Sequence, residues 1–167
     1  MTSIPMFIDS WKILYPDVDV KIILIIDKIP NDYMVYKDNI IVFKPIKNVS
    51  TAFTSQYIRL LYPCLLNYDN GVMITDIDDI PMNKTFFKDN LKGISNNKFV
   101  YYRDWKENNE IAMCWQIATP KTWRSVFNIN GIDDINNRII EVNRNNKYIE
   151  GHEILGGVQI KKNYTNT

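Results

Sequence analysis

The chain has 167 residues, a formal net charge of +1, 46% hydrophobic residues and 23% charged residues. This is a globular composition, and the length predicts a single domain, residues 1–167, with a sizeable core. The near-neutral charge and the lack of a basic stripe argue against a nucleic-acid partner, and the longest apolar run is too short to span a membrane. Cys64 and Cys114 lack zinc-ligand spacing, so we expect reduced thiols in a cytoplasmic protein without a signal peptide.

The first third of the sequence predicts one helix and two strands. Apolar residues recur at helical spacing between Pro5 and Tyr15, which predicts a helix with Pro5 in its first turn. Val20 to Ile26 is a nearly continuous β-branched run, which predicts a central strand buried on both faces. Ile40 to Phe43 predicts a second short strand.

A second helix is predicted from Ser50 to Leu66. Ser50 and Thr51 are typical N-cap residues, and apolar side chains repeat at intervals of three and four. Arg59 is the one charged residue in this helix. It either extends its charge to solvent or faces the next strand end, where it would pair with a phosphate or a carboxylate.

Three carboxylates follow the apolar run Val72 to Ile74. Because a buried strand does not carry unpaired carboxylates in its middle, Asp76, Asp78 and Asp79 are predicted where this strand emerges from the sheet. In extended chain, Asp76 and Asp78 point to one side and Asp79 to the other. Two converging carboxylates suit Mg²⁺ or Mn²⁺ with a phosphate-bearing ligand. The alternative is an acidic surface turn without a ligand.

Beyond Pro81 the pattern alternates between helices and strands. The predicted elements are a helix at Lys84 to Leu91, strands at Phe99 to Tyr102 and Ile111 to Ala118, a helix capped by Thr119, and a helix from Gly131 to about Asn143. A last ordered segment is predicted from Gly151 to Ile160, followed by a frayed tail from Lys161. This alternation predicts an α/β fold with helices on both faces of a sheet.

Three stretches carry a resemblance to a known enzyme class: Ile74 to Met82 with its Asp-x-Asp, Tyr101 to Arg103, and Ala112 to Trp123. With the Arg59 helix placed before them, they resemble the GT-A class of nucleotide-sugar glycosyltransferases. They are most similar to the small glycosyltransferases of large DNA viruses, including the chlorella-virus type. The resemblance covers residues 3 to 160 and implies a Rossmann-like mixed sheet, a Mn²⁺ or Mg²⁺ cofactor, a UDP-sugar donor and a glycan acceptor. For a viral protein it implies the host cytoplasm.

The resemblance also implies roles for single residues on the donor side. Asp76 would lie near the donor ribose and the metal, and Asp78 would bind the metal directly. Asp79 matches no demanded position and is expected to cap the following turn. Arg59 would face the donor.

On the acceptor side, the resemblance implies that Trp115 and Gln116 line the sugar site and that His152 and Glu153 contact the acceptor. If the reaction inverts the anomeric carbon, a carboxylate must take the acceptor proton. Glu153 is the first candidate for this base and Asp104 the second.

One departure from the class bears on activity. GT-A domains begin with a strand, whereas only Met1 to Ile4 precede the first helix here. We therefore expect a sheet without its first strand, weak donor binding, and self-association through the edge of Val20 to Ile26. A degenerate, non-catalytic sugar-nucleotide-binding domain is the main alternative. A Mg²⁺-dependent phosphotransferase of the haloacid-dehalogenase type is less favoured, because that family places its Asp-x-Asp near the start of the domain.

Overall fold

The computed structural model describes residues 3–105, 110–111 and 113–145. Over these residues the protein is mixed α/β, with several helices and small sheets, which confirms the predicted class. The chain divides into two compact units: Met1–Pro45 with Asp76–Ile94, and Ile46–Thr75 with Ser95–Thr167. The single domain expected from chain length stays a prediction.

The first unit is built around one long helix and a pair of strands. Its elements are α1 (Ser3–Leu14), β1 (Ile22–Ile25), a 3₁₀ helix (Asn31–Asn39), β2 (Ile40–Phe43) and α3 (Thr85–Asp89). Strands β1 and β2 pair in parallel, with Ile22 opposite Ile40.

Strand β1 differs from the central, doubly buried strand predicted for Val20 to Ile26. Among the described residues β1 pairs with β2 alone, and Ile23, Leu24 and Ile25 are half-buried. Because β-branched runs indicate extended chain but carry no information on how many partners a strand has, the location of the strand is confirmed and its central position is not.

Aromatic packing fixes helix α1 within the first unit. Trp11 is 4% exposed, and its ring centroid lies 6.1 Å from that of Phe7, 5.5 Å from that of Tyr15 and 5.3 Å from that of Phe87. Phe87 belongs to α3, so this cluster joins the start of the chain to the segment beyond the acidic residues. Such tilted aromatic pairs stabilise by about 0.5–1.5 kcal/mol each beyond their buried area.

The second unit contains the remaining described elements. They are α2 (Thr51–Leu61), a 3₁₀ helix (Tyr62–Leu65), β3 (Val72–Ile74), β4 (Val100–Tyr101), β5 (Asp104–Trp105), β6 (Glu110–Ile111), β7 (Gln116–Ala118), α4 (Pro120–Phe127) and α5 (Ile132–Asn145). Strands β3, β7 and β4 form an antiparallel sheet in that order, and β5 pairs with β6.

Two helices of this unit begin where the capping pattern predicts. The Ser50 hydroxyl accepts a hydrogen bond from the Phe53 amide at 3.1 Å. The Thr119 hydroxyl accepts from the Thr122 amide at 3.3 Å, and Pro120 follows in the first helical position. Helix α2 gives way to a 3₁₀ turn at Tyr62, earlier than predicted, because a proline next along the chain cannot continue the α-helical hydrogen bonds.

Trp123 anchors α4 to the sheet of the second unit. Its side chain is fully buried, and its indole Nε1 donates to the backbone carbonyl of Val72 at 3.1 Å. Its ring centroid lies 4.6 Å from that of Phe99 and 5.7 Å from that of Phe127. The bond to Val72 fixes α4 beside the strand that leads into the acidic residues.

The single strand predicted over Ile111 to Ala118 is wrong in extent. Strand β6 ends at Ile111 and β7 begins at Gln116, while Trp115 between them has a φ of 58°. A residue in the left-handed region interrupts the pleat, so alternation cannot continue through it. The predicted segment Gly151 to Ile160 and the tail from Lys161 lie outside the described residues.

Candidate functional site

The three carboxylates form a turn after β3. The strand ends at Ile74, and the Asp79 amide donates to the Asp76 carbonyl at 3.1 Å. In return, Oδ2 of Asp79 accepts from the Asp76 amide at 3.2 Å. Asp79 therefore caps this acidic turn (residues 76–79), the role that the resemblance left for it.

The acidic turn brings together a different pair from the one predicted. A carboxylate oxygen of Asp76 and one of Asp79 lie within 4.8 Å of one another, and both side chains are half-buried. Asp78 is exposed. The prediction that Asp76 and Asp78 point to the same side assumes an extended chain, in which side chains alternate. From Asp76 to Asp79 the chain forms a turn instead. The role of Asp78 as a metal ligand stays a prediction.

Helix α1 holds the acidic turn through its buried indole. Nε1 of Trp11 donates to the backbone carbonyl of Asp79 at 3.2 Å. Just beyond the end of α1, the Tyr15 hydroxyl donates to the carbonyl of Asn83 at 2.9 Å. Burial raises the pKa of Tyr15, so this donor stays protonated. Neither bond could be predicted from the sequence, because an aromatic residue at an apolar position of a helix pattern predicts core packing alone.

Trp115 forms a bulge against the end of β3. Its amide donates to the carbonyl of Ile74 at 2.8 Å, while Gln116 is the residue paired with Ile74 in the strand register. Trp115 and Gln116 thus both lie opposite Ile74 of the neighbouring strand, and two residues opposite one define a β-bulge. The Trp115 carbonyl accepts from the Tyr102 amide at 3.0 Å, so the bulge is held from both neighbouring strands.

The predicted sugar-site residues therefore lie next to the strand end from which the acidic turn starts. Gln116 is fully buried and Trp115 is half-buried. The guanidinium carbon of Arg103, an exposed residue, lies 6.0 Å from the centroid of the Trp115 ring, within range of a cation–π interaction. A bulky residue with positive φ is rare outside turns and sites under functional constraint.

Arg59 lies in α2, as predicted; because this helix ends at Leu61, the residue falls in its last turn. Its side chain is half-buried, and its Nε donates to the carbonyl of Gln56 at 3.4 Å. A cation in the last turn of a helix interacts favourably with the helix dipole. Both interpretations of Arg59, a solvent-seeking cation and a donor-facing one, are compatible with this position.

The remaining predicted residues are only partly described. Asp104 belongs to β5 and pairs with Ile111 of β6, but its side chain, like His152 and Glu153, lies outside the described residues. Cys64 and Cys114 are free and buried, as expected for reduced thiols. Burial raises the pKa of the Cys64 thiol to about 12, despite the opposing charge of Arg124, so this thiol is not a nucleophile at neutral pH.

Comparison with known proteins finds no family model, no curated relative and no solved structure that matches the chain. Within the described part of the chain, no helix is both long enough and apolar enough to cross a membrane.

Proposed function

We propose that this protein is a metal-dependent glycosyltransferase that moves a sugar from a UDP-sugar to a hydroxyl acceptor on a glycan. The acidic turn carries the proposal: it follows β3 directly and pairs the carboxylates of Asp76 and Asp79 within 4.8 Å. Its position after a helix that contains Arg59 repeats the order of elements in the GT-A class that the sequence resembles.

The residues of the acidic turn fit a hard divalent cation. Mg²⁺ binds carboxylate oxygens at about 2.0–2.1 Å, so two oxygens that share one Mg²⁺ lie at most about 4.2 Å apart. The oxygens of Asp76 and Asp79 lie within 4.8 Å of one another, so a small shift of either side chain would let both bind one ion. Mg²⁺ sites of this kind take one or two carboxylates from the protein and complete the shell with water and substrate phosphates. When bound, the cation would stabilise negative charge on the departing diphosphate.

Other residues of the chain would bind and orient the two substrates. Arg59, from α2, would pair with the donor diphosphate. Trp115 would line the sugar site, and the bulge would fix the direction of the indole. Gln116, which is fully buried in β7, would support the wall of that site without contacting the sugar. In an inverting reaction, Glu153 or Asp104 would take the acceptor proton. The free thiols fit a cytoplasmic site of action.

The decisive experiment is calorimetric titration of the purified chain with a panel of nucleotide sugars, with and without Mn²⁺. We expect Mn²⁺-dependent binding of a UDP-sugar, lost in Asp76→Asn. Asp17→Asn is the matched control, because Asp17 is an exposed acid of the same unit outside the acidic turn.

The outcomes separate the candidate functions. Binding followed by release of UDP in the presence of acceptor glycans supports the transferase. Binding without turnover identifies a non-catalytic sugar-nucleotide-binding domain. If neither Mn²⁺ nor any nucleotide sugar binds, the proposal is wrong and the acidic turn serves the fold alone.

A further inference from the structure

The sequence contains two Asn-Gly pairs, and both lie in the second unit in contrasting surroundings. Asn70-Gly71 lies in the loop that leads into β3, and both of its residues are exposed. Asn130-Gly131 lies just before α5 and is held by a hydrogen-bonded side chain. We propose that Asn70 is a site of spontaneous deamidation and that Asn130 is protected from the same reaction.

The reaction is an attack of a backbone nitrogen on the preceding side chain. The nitrogen of the glycine bonds to Cγ of the asparagine, the bond from Cγ to the side-chain nitrogen breaks, and ammonia leaves with the proton of the glycine amide. Water then opens the cyclic imide at either carbonyl and leaves aspartate or isoaspartate. Glycine after asparagine favours this closure because it has no Cβ and permits the backbone rotation that the ring requires.

Asn70 meets these requirements in the loop before β3. Exposure gives water access to the side chain and to the imide. Packing explains why the position after it is glycine: a Cβ added to Gly71 would lie 3.0 Å from Cγ1 of Ile117, tighter than ordinary contacts. Packing in the sheet therefore favours glycine at position 71, and a glycine at this position also makes Asn70 reactive.

Asn130 is exposed as well, but its backbone is fixed by one carboxylate. Oδ2 of Asp134 accepts from the Asn130 amide at 2.8 Å and from the Gly131 amide at 3.1 Å. The second of these bonds engages the nitrogen that must attack, and the carboxylate charge opposes the amide anion through which attack proceeds. A hydrogen bond to a charged group slows a step that must break it by roughly tenfold or more.

Reaction at Asn70 changes the chain just before the acidic turn. Aspartate adds a negative charge at the entrance to β3, and isoaspartate adds a methylene to the main chain there. Because Gly71 packs against Ile117, a longer backbone would displace the start of the strand.

The test is to age the folded full-length chain at mildly alkaline pH and to map deamidation by peptide mass spectrometry. Isoaspartate is counted separately by enzymatic methylation, and a urea-unfolded sample gives the intrinsic rate of both pairs. Asn70→Gln is the control, because the longer side chain closes a less favourable ring. Gly71→Ala is unsuitable, because its Cβ would meet Ile117. Asp134→Ala removes the protection of Asn130.

We expect folded Asn70 to react at a rate similar to the unfolded sample and Asn130 to react roughly tenfold more slowly. We expect Asp134→Ala to raise the Asn130 rate while the circular dichroism of the folded chain is kept. An Asn70 that stays intact in the folded chain while the unfolded sample reacts would overturn the proposal. So would equal rates at the two sites, or a rate at Asn130 that Asp134→Ala leaves unchanged.

Discussion

The indole Nε1 of Trp11 donates a hydrogen bond to the backbone carbonyl of Asp79 at 3.2 Å, which ties a residue near the start of the chain to the acidic turn. The bond crosses 68 positions of sequence. It gives α1 a role beyond core packing, because the orientation of the carboxylates depends on where the backbone of the acidic turn is held.

Removing this donor should loosen the acidic turn. Trp11→Phe keeps an aromatic ring and deletes the N–H, so we expect the Asp79 amide to exchange with solvent roughly fivefold faster, the effect of losing about 1 kcal/mol of local stability. The measurement is amide hydrogen exchange by NMR. Tyr15→Phe is the control, because it removes the bond to Asn83 and leaves the one to Asp79 in place. An equal increase at the Ile26 amide, which donates to Phe43 in the β1–β2 pair, would reveal general destabilisation instead.

At Trp115, the left-handed backbone of the bulge should make a glycine variant more stable than an alanine variant, the reverse of the usual order. Because Trp115 has a φ of 58°, alanine there bears a steric cost that glycine avoids. We expect Trp115→Gly to be more stable than Trp115→Ala by about 1 kcal/mol in urea unfolding, although glycine is normally the less stable of the two. A more stable alanine variant would show that the backbone there is not left-handed in solution.

The affinity of an Arg59 variant for UDP should distinguish the two interpretations of this residue. If it faces the donor, Arg59→Leu weakens UDP binding by about 1.5–3 kcal/mol with little change in melting temperature. Lys121→Leu, which removes an exposed cation from another helix of the same unit, controls for net charge. Unchanged UDP affinity in calorimetry would identify Arg59 as a solvent-seeking cation.

The buried thiol of Cys64 should lower the free energy of unfolding as the pH becomes alkaline. Its thiol has a pKa of 9.0 when exposed and about 12 in the folded state because of burial. The unfolded chain therefore loses this proton first, so the contribution of the thiol is complete below pH 9 and is lost as pH rises from 9 towards 12. We expect the free energy of unfolding to fall less steeply over this range in Cys64→Ala than in the parent. Parallel pH profiles would contradict the raised pKa.

Sequence patterns identified the elements where local chemistry determines them. Ser50 and Thr119 marked helix starts because an N-cap is a short-range interaction. Strand β2 was predicted at Ile40 to Phe43 and is found there. The mixed α/β class followed from the alternation of these elements.

The arrangement of the candidate site depended on contacts that local patterns do not encode. Strand β3 stops at Ile74, so the prediction that Asp76 and Asp78 converge rested on extended chain that does not reach them. The left-handed Trp115 had no sequence signal, since glycine or asparagine usually marks such a position. The bond from Trp11 to Asp79 joins distant segments and could not be read from either one.

The order in which the two units use the chain has a consequence for biosynthesis. The first unit is discontinuous: it comprises Met1–Pro45 and Asp76–Ile94, and the chain between them belongs to the second unit. On the ribosome, Trp11 emerges long before Phe87, the ring that packs against it. Trp11 therefore lacks two of its partners, the carbonyl of Asp79 and the ring of Phe87, until the polypeptide has been synthesised through Phe87. A nascent chain halted before that point would hold an indole whose ring and N–H both lack these partners, so the packing of Trp11 is completed late in synthesis.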